Sequence, residues 1–247
     1  MAEYDYVAGK KRIVEILRSR TEVIEIDEVP TEERFTYSNS YTSWITAIFV
    51  DIRNSLELFS NENKALVSRV MRSFTSEIIE ILRKDPHLRE IGIRGDCVYG
   101  IYTTHLQSGT YEVLDMAFFA NTYMRMLRVL LEQFSLPLIG VGIGVSTAKD
   151  LVIKAGRKDT GISNMVWIGD SATKASKFAS LGNKDGYRPI VISSLTYQNT
   201  IENLVKNSGE AARSWFRERN DESLGTFYDC DVSKIQFGNW IDGGMKE

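Results

Sequence analysis

The sequence predicts an α+β fold in which one sheet carries helices mainly on one of its faces. Three observations predict it. Short apolar runs rich in β-branched and aromatic residues recur along the chain. Two long stretches between them repeat their apolar residues every three or four positions. The resulting order is strand, helix, helix, strand hairpin, helix, strand, strand, helix, strand, which suits helices layered on a sheet. With 247 residues, 43% of them hydrophobic, the chain can form one large domain or a domain with appendages.

From the N-terminus, Tyr6 to Arg20 sets Val7, Ile13, Val14, Ile16 and Leu17 among lysines and arginines, the pattern of a short amphipathic helix. Thr21 to Tyr41 mixes acids, Pro30 and polar residues and reads as a connector. The run from Ala47 to Val50 is a buried strand, followed by a polar turn at Arg53-Asn54-Ser55 and a helix from Leu56. Leu66, Val67, Val70, Phe74, Ile78, Ile81 and Leu82 give the stretch from Glu62 to Lys84 one apolar helical face, and Asp85-Pro86 ends it. Leu88 to Tyr102 reads as two strands joined at Gly95-Asp96, where glycine can supply a positive φ. Tyr111 to Phe134 is a second long helix, stopped by Pro137. Leu138 to Val145 carries Gly140, Gly142 and Gly144, a strand with one side bare enough for a backbone or ligand to approach. Ser146 to Asp150 supplies no helix after those glycines, so they are not a dinucleotide fingerprint. A strand at Asn164 to Ile168, a turn at Gly169-Asp170, a helix over Ser171 to Leu181, a strand at Arg188 to Ile192 and a helix from Ser194 follow. The tail is expected to be helical around Ala211 to Arg219 and to end in a strand near Phe227 to Ile235.

Composition excludes several functions. A formal net charge of −3 provides no basic face for nucleic acid. The two cysteines, Cys97 and Cys230, have neither metal-site spacing nor the look of a secreted disulfide framework. His87 and His105 are the only histidines, so a multi-histidine metal site is excluded. The N-terminal segment has no signal-peptide core, and no run approaches the ~18 apolar residues of a membrane span. A soluble, cytoplasmic protein is expected.

Two carboxylates stand out as candidate functional groups. Asp51 ends the first core strand, where it can serve as a cation ligand in a cleft or cap the helix that follows. Asp96 stands at the hairpin tip, either as a second ligand or as an ordinary Gly-Asp turn residue. Together they could hold a pair of divalent cations that bind a nucleoside triphosphate. Exposed N–H groups at Arg53-Asn54-Ser55 would suit an anion beside them.

Phe49-Val50-Asp51-Ile52 and Gly95-Asp96, followed by the Gly140 to Gly144 strand and the Trp167-Ile168-Gly169-Asp170 turn before a helix, resemble the class III nucleotidyl cyclase domain over about Ser43 to Tyr197. That resemblance implies an antiparallel-dominated sheet with packed helices. It divides the chain into an N-terminal helix and connector (residues 1–42), a cyclase domain (43–205) and a C-terminal extension completing it (206–247). Departures narrow the resemblance. Where purine cyclases carry base-reading residues this chain has Gly92 and Val166, and where they carry an asparagine and an arginine it has Thr173 and Lys177. This pattern resembles the bacterial pyrimidine cyclases of the Pycsar antiphage systems.

The resemblance implies conversion of UTP to cyclic UMP for a separate effector protein. Two Mn²⁺ or Mg²⁺ ions would be held by Asp51, Asp96 and the Ile52 carbonyl, and Phe49, Arg53, Asn54 and Ser55 would line the substrate. Lys177 would offset charge at the α-phosphate and Thr173 would orient the ribose. Arg94, two residues from both Gly92 and Asp96, shares a strand face with them and could donate to pyrimidine carbonyls. Class III sites are shared between two protomers. The small face of Ala172, Ala175, Ser176 and Ala179 would suit either a homodimer contact or packing within one subunit. A cytidylate cyclase, a purine cyclase with unusual base contacts and a domain that only senses nucleotides are the rival readings.

Overall fold

In the computed structural model, residues 3–61, 63–157 and 160–246 are described. A nine-stranded sheet forms the body. Its strands are β1 (Glu22–Glu25), β2 (Asn39–Ile52), β3 (Leu88–Arg94), β4 (Cys97–Thr103), β5 (Val141–Arg157), β6 (Ile162–Ile168), β7 (Ile190–Ser193), β8 (Phe216–Asp221) and β9 (Gly225–Cys230). The main path runs β3-β4-β2-β5-β7-β9-β8, with β1 beside the start of β2 and β6 beside the second half of β5. Only β1–β2 and β5–β7 pair in parallel, so the sheet is antiparallel-dominated.

The helices are α1 (Tyr6–Arg18), α2 (Ser55–Asn61), α3 (Lys64–Leu82), α4 (Gln107–Gln133), α5 (Asp170–Leu181), α6 (Ser194–Ser208) and α7 (Ile235–Asp242). Strand alternation sorts the core into two faces. Ile48, Val50 and Ile52 of β2 join Val98, Ile143 and Ile190 beneath α3, α4 and α6. Ala47 and Phe49 point the other way and pack with Tyr99, Trp167, Ala172 and Ala175, together with Val29 and Phe35. Asp51 continues this second series, so its carboxylate lies on the α5 face.

Helix α5 touches β5 backbone to backbone. A β-carbon at Gly144 would run into the Ala175 carbonyl, and one at Gly142 into the Ala179 carbonyl. Ala175 and Ala179 are buried by this contact, so the small face of α5 packs largely within the subunit. Gly144→Ala is expected to cost about 3 kcal/mol, the upper end for overpacking. That lowers the melting midpoint by roughly 6–12 °C. An unchanged midpoint would mean that the helix can withdraw from the strand.

Several expectations are corrected. The connector is part of the sheet, because β1 pairs with β2 and both Val29 and Phe35 are buried. β5 does not stop at Val145 but runs to Arg157. Its polar segment survives burial because Thr147 bonds Thr46 and Thr196 hydroxyls at 2.9 and 3.0 Å. The helix expected over Ala211 to Arg219 is a 3-10 turn, Glu210–Trp215, followed by β8. There Arg217 and Arg219 both reach the fully buried Asp229 of β9, a pairing that needs an extended strand. The expected terminal strand ends at Cys230, and α7 begins at Ile235.

Candidate active site

β2 delivers Asp51 and Ile52 to the end of the sheet, where the chain turns through Asn54 at φ 54°. Asparagine tolerates that left-handed conformation. The Asn54 carbonyl accepts the N–H groups of Glu57 and Leu58 at 3.1 Å each, which makes Asn54 the residue that begins α2. Asp51 therefore does not cap the helix. Its carboxylate meets the Arg53 guanidinium, which also donates to the Ser180 carbonyl at 2.8 Å. The Arg53 N–H donates to the Gly140 carbonyl, whereas among the described residues no hydrogen-bond partner is found for the N–H groups of Asn54 and Ser55.

The β3–β4 hairpin places Asp96 beside Asp51. Gly95, at φ 64°, supplies the turn, Arg94 pairs with Cys97, and Cys97 in turn pairs with Asp51. The Ile52 N–H donates to the Asp96 carbonyl at 3.3 Å and ties the hairpin tip to the end of β2. Burial raises the Asp51 pKa, Arg53 opposes that rise, and the Asp96 charge adds to it. The neighbouring Cys97 thiol is pushed up to about 12, by burial first and then by both carboxylates. A site with two acids and one arginine is electronegative and suits a divalent cation. Among the described residues no three His, Cys, Asp or Glu side chains cluster as a closed metal cage. A pair of carboxylates fits Mg²⁺ or Mn²⁺, which fill their remaining positions with substrate phosphates and water.

On the same sheet face, Phe49 stacks on Tyr99 with ring centroids 5.1 Å apart and planes 14° from parallel. The Tyr99 ring covers Gly92, so a side chain there would collide with it. The Tyr99 hydroxyl donates to one Glu90 oxygen at 2.6 Å, and the Trp167 indole N–H donates to the other at 2.7 Å. Burial, followed by the Glu90 contact, pushes Tyr99 up to about 12, which keeps it a donor at neutral pH. Arg94 is exposed at the end of β3 on this face. Val166 points outward and is 37% exposed, whereas its neighbour Trp167 points in. Sequence reasoning missed Glu90, Tyr99 and Trp167. Continuing the alternation from Arg94 through Gly92 would have reached Glu90.

Asp150, buried on β5, accepts the Ser171 N–H at 3.2 Å and the Ser171 hydroxyl, and so holds the start of α5. Thr173 and Lys177 lie one turn apart on the exposed side of that helix. Among the described residues no hydrogen bond or ion pair joins either to Asp51 or Asp96. The Lys177 charge is felt instead at Asp221 of β8. That carboxyl is held below its usual range by Ser223 first, then by the Leu224 N–H, with a smaller contribution from Lys177. One chain thus gathers Asp51, Ile52, Asp96, Arg53, Asn54 and Ser55 at one place and Phe49 and Arg94 along the adjoining aromatic face. Among the described residues Thr173 and Lys177 make no polar contact with that group.

Among solved structures, the adenylyl cyclase CyaB from P. aeruginosa matches this fold with a TM-score of 0.63 at 18% identity, covering 79% of this chain and 97% of that one. The fold is that of class III nucleotidyl cyclases. No family model matches the chain. A uridylate cyclase of Treponema porcinum is 54% identical over 243 residues, 98% of this chain and 82% of that protein. A uridylate cyclase of Gulbenkiania mobilis is 29% identical over 248 residues, 97% of this chain and 96% of that protein. The chain belongs to the uridylate cyclase family and is a nucleotidyl cyclase.

Proposed function

We propose that the protein converts UTP to 3′,5′-cyclic UMP and pyrophosphate at two composite sites in a homodimer. The observation that carries this reading is the half-buried Asp51 beside Asp96 at the end of β2, next to the open N–H groups of Asn54 and Ser55. Asp51, Asp96 and the Ile52 carbonyl would hold two Mn²⁺ or Mg²⁺ ions, which would supply acidification of the ribose 3′-hydroxyl and charge neutralisation at the triphosphate. The 3′-oxygen attacks the α-phosphorus, its proton passes to water, and the bond to the β-phosphate oxygen breaks as pyrophosphate leaves. The Asn54 and Ser55 N–H groups receive the β- and γ-phosphates. Lys177 of the second copy balances charge at the α-phosphate, and its Thr173 orients the ribose. Residues 43–205 are the catalytic unit and 206–247 complete it. In this reading the enzyme is cytoplasmic, and its product signals to a separate effector protein in antiphage defence.

Arg94 donates to the uracil 4-carbonyl, which cytosine replaces with an amino donor. Leaving that donor unpaired costs about 1–3 kcal/mol, roughly a five- to hundredfold preference for UTP over CTP. Incubation with Mn²⁺ and each of the four nucleoside triphosphates, with products identified by mass spectrometry, is expected to give mainly cyclic UMP, then cyclic CMP. Predominant cyclic AMP or cyclic GMP would overturn the reading. Nucleotide binding without any cyclic product would establish a sensor instead.

A further inference from the structure

We infer that Glu90 reads the pyrimidine ring by accepting the N3–H of uracil, a role that rests on the UTP reading and names its specificity determinant. Glu90, Gly92 and Arg94 alternate along β3 and so share the face that carries the Phe49–Tyr99 stack. At Gly92 the Tyr99 ring lies where a side chain would begin, so position 92 offers no polar group. Glu90, two residues away on the same strand face, is the acceptor that can take that place. Tyr99 at 2.6 Å and Trp167 at 2.7 Å each hold one of its oxygens, which fixes the carboxylate between β3 and β6. An ionised carboxylate offers about four acceptor positions, so two stay free for a ligand. Both of its donors are neutral, and among the described residues neither Glu90 nor Arg94 has an ion-pair partner. An acceptor with spare lone pairs and a cationic donor, neither of them in an ion pair among the described residues, therefore lie on one aromatic face.

That combination matches uracil and mismatches cytosine. Uracil presents a carbonyl at position 4 and a donor at N3, whereas cytosine presents an amino donor at 4 and a lone pair at N3. Facing the N3 lone pair with a carboxylate loses a charge-assisted hydrogen bond and adds repulsion. A purely structural Glu90, serving only to hold Tyr99 and Trp167, would instead affect both nucleotides alike.

Two measurements separate these roles. The wild type is offered UTP, CTP and 3-methyl-UTP, in which the N3 proton is replaced. It is expected to use 3-methyl-UTP about ten- to hundredfold less efficiently than UTP. Glu90→Gln, whose amide can donate to the cytosine N3, is expected to lower the UTP-to-CTP ratio of kcat/KM by about tenfold or more. Its melting curve is recorded alongside. Equal use of UTP and 3-methyl-UTP, or an unchanged ratio in a folded Glu90→Gln, overturns the role of Glu90 while cyclic UMP synthesis stands. A wild type that prefers ATP or GTP overturns the pyrimidine reading and this inference with it. If Glu90→Gln does not fold, the 3-methyl-UTP comparison decides alone.

Discussion

Asp51→Ala and Asp96→Ala are each expected to abolish cyclic nucleotide formation without lowering the melting midpoint. In the proposed assignment each removes a cation ligand, and among the described residues no third His, Cys, Asp or Glu joins the pair. Loss of metal-assisted charge stabilisation amounts to several kcal/mol, a fall of roughly a thousandfold or more. Stability should move little, and the sign follows from the protonation equilibrium. Asp51 has a pKa raised in the folded state, by burial first and by Asp96 as well. Such a group favours the fold when protonated, below its unfolded pKa, and that contribution disappears as pH rises through the folded pKa. The Asp96 charge is one of the causes that raise the Asp51 pKa, so removing Asp96 relieves repulsion. Removing Asp51 leaves the Arg53 guanidinium with its Ser180 carbonyl. Near wild-type turnover in either variant, with a normal melting curve, would refute the metal assignment.

Mixing Asp51→Ala and Lys177→Ala chains, each inactive alone, should restore about one quarter of wild-type activity. Random exchange makes half of the dimers mixed, and each mixed dimer holds one intact site and one doubly damaged site. The motive is that Lys177 and Thr173 lie on the exposed side of α5 and, among the described residues, make no polar contact with the acid pair. Lys177→Ala alone should reduce kcat by about 10²–10³, as expected for removing one group that stabilises transition-state charge. Absence of recovery after demonstrated subunit exchange would place the whole site within one chain.

The acid pair was legible in the sequence because each residue closes an apolar strand, a pattern confined to a few neighbouring positions. The hairpin and the two long helices were legible for the same local reason. The aromatic wall was not, since Trp167 and Glu90 are 77 residues apart and meet only in the folded chain. The second half of β5 was hidden by its polar residues. Asp150 and Thr147 find their partners on other elements, and nothing local announces that burial. β8 was misread because alternating arginines reveal their purpose only beside the buried Asp229.

The backbone contact between α5 and β5 divides the helix into two faces with very different tolerance of substitution. Its inner residues, pressed against Gly142 and Gly144, admit no growth. Its outer residues, Thr173, Ser176 and Lys177 among them, are exposed and can change chemistry without refolding the helix. New reaction partners or substrates can therefore be explored by drift on one stripe while the other keeps that stripe in register with the sheet. Replacing an asparagine and arginine pair by threonine and lysine is a change of this permitted kind.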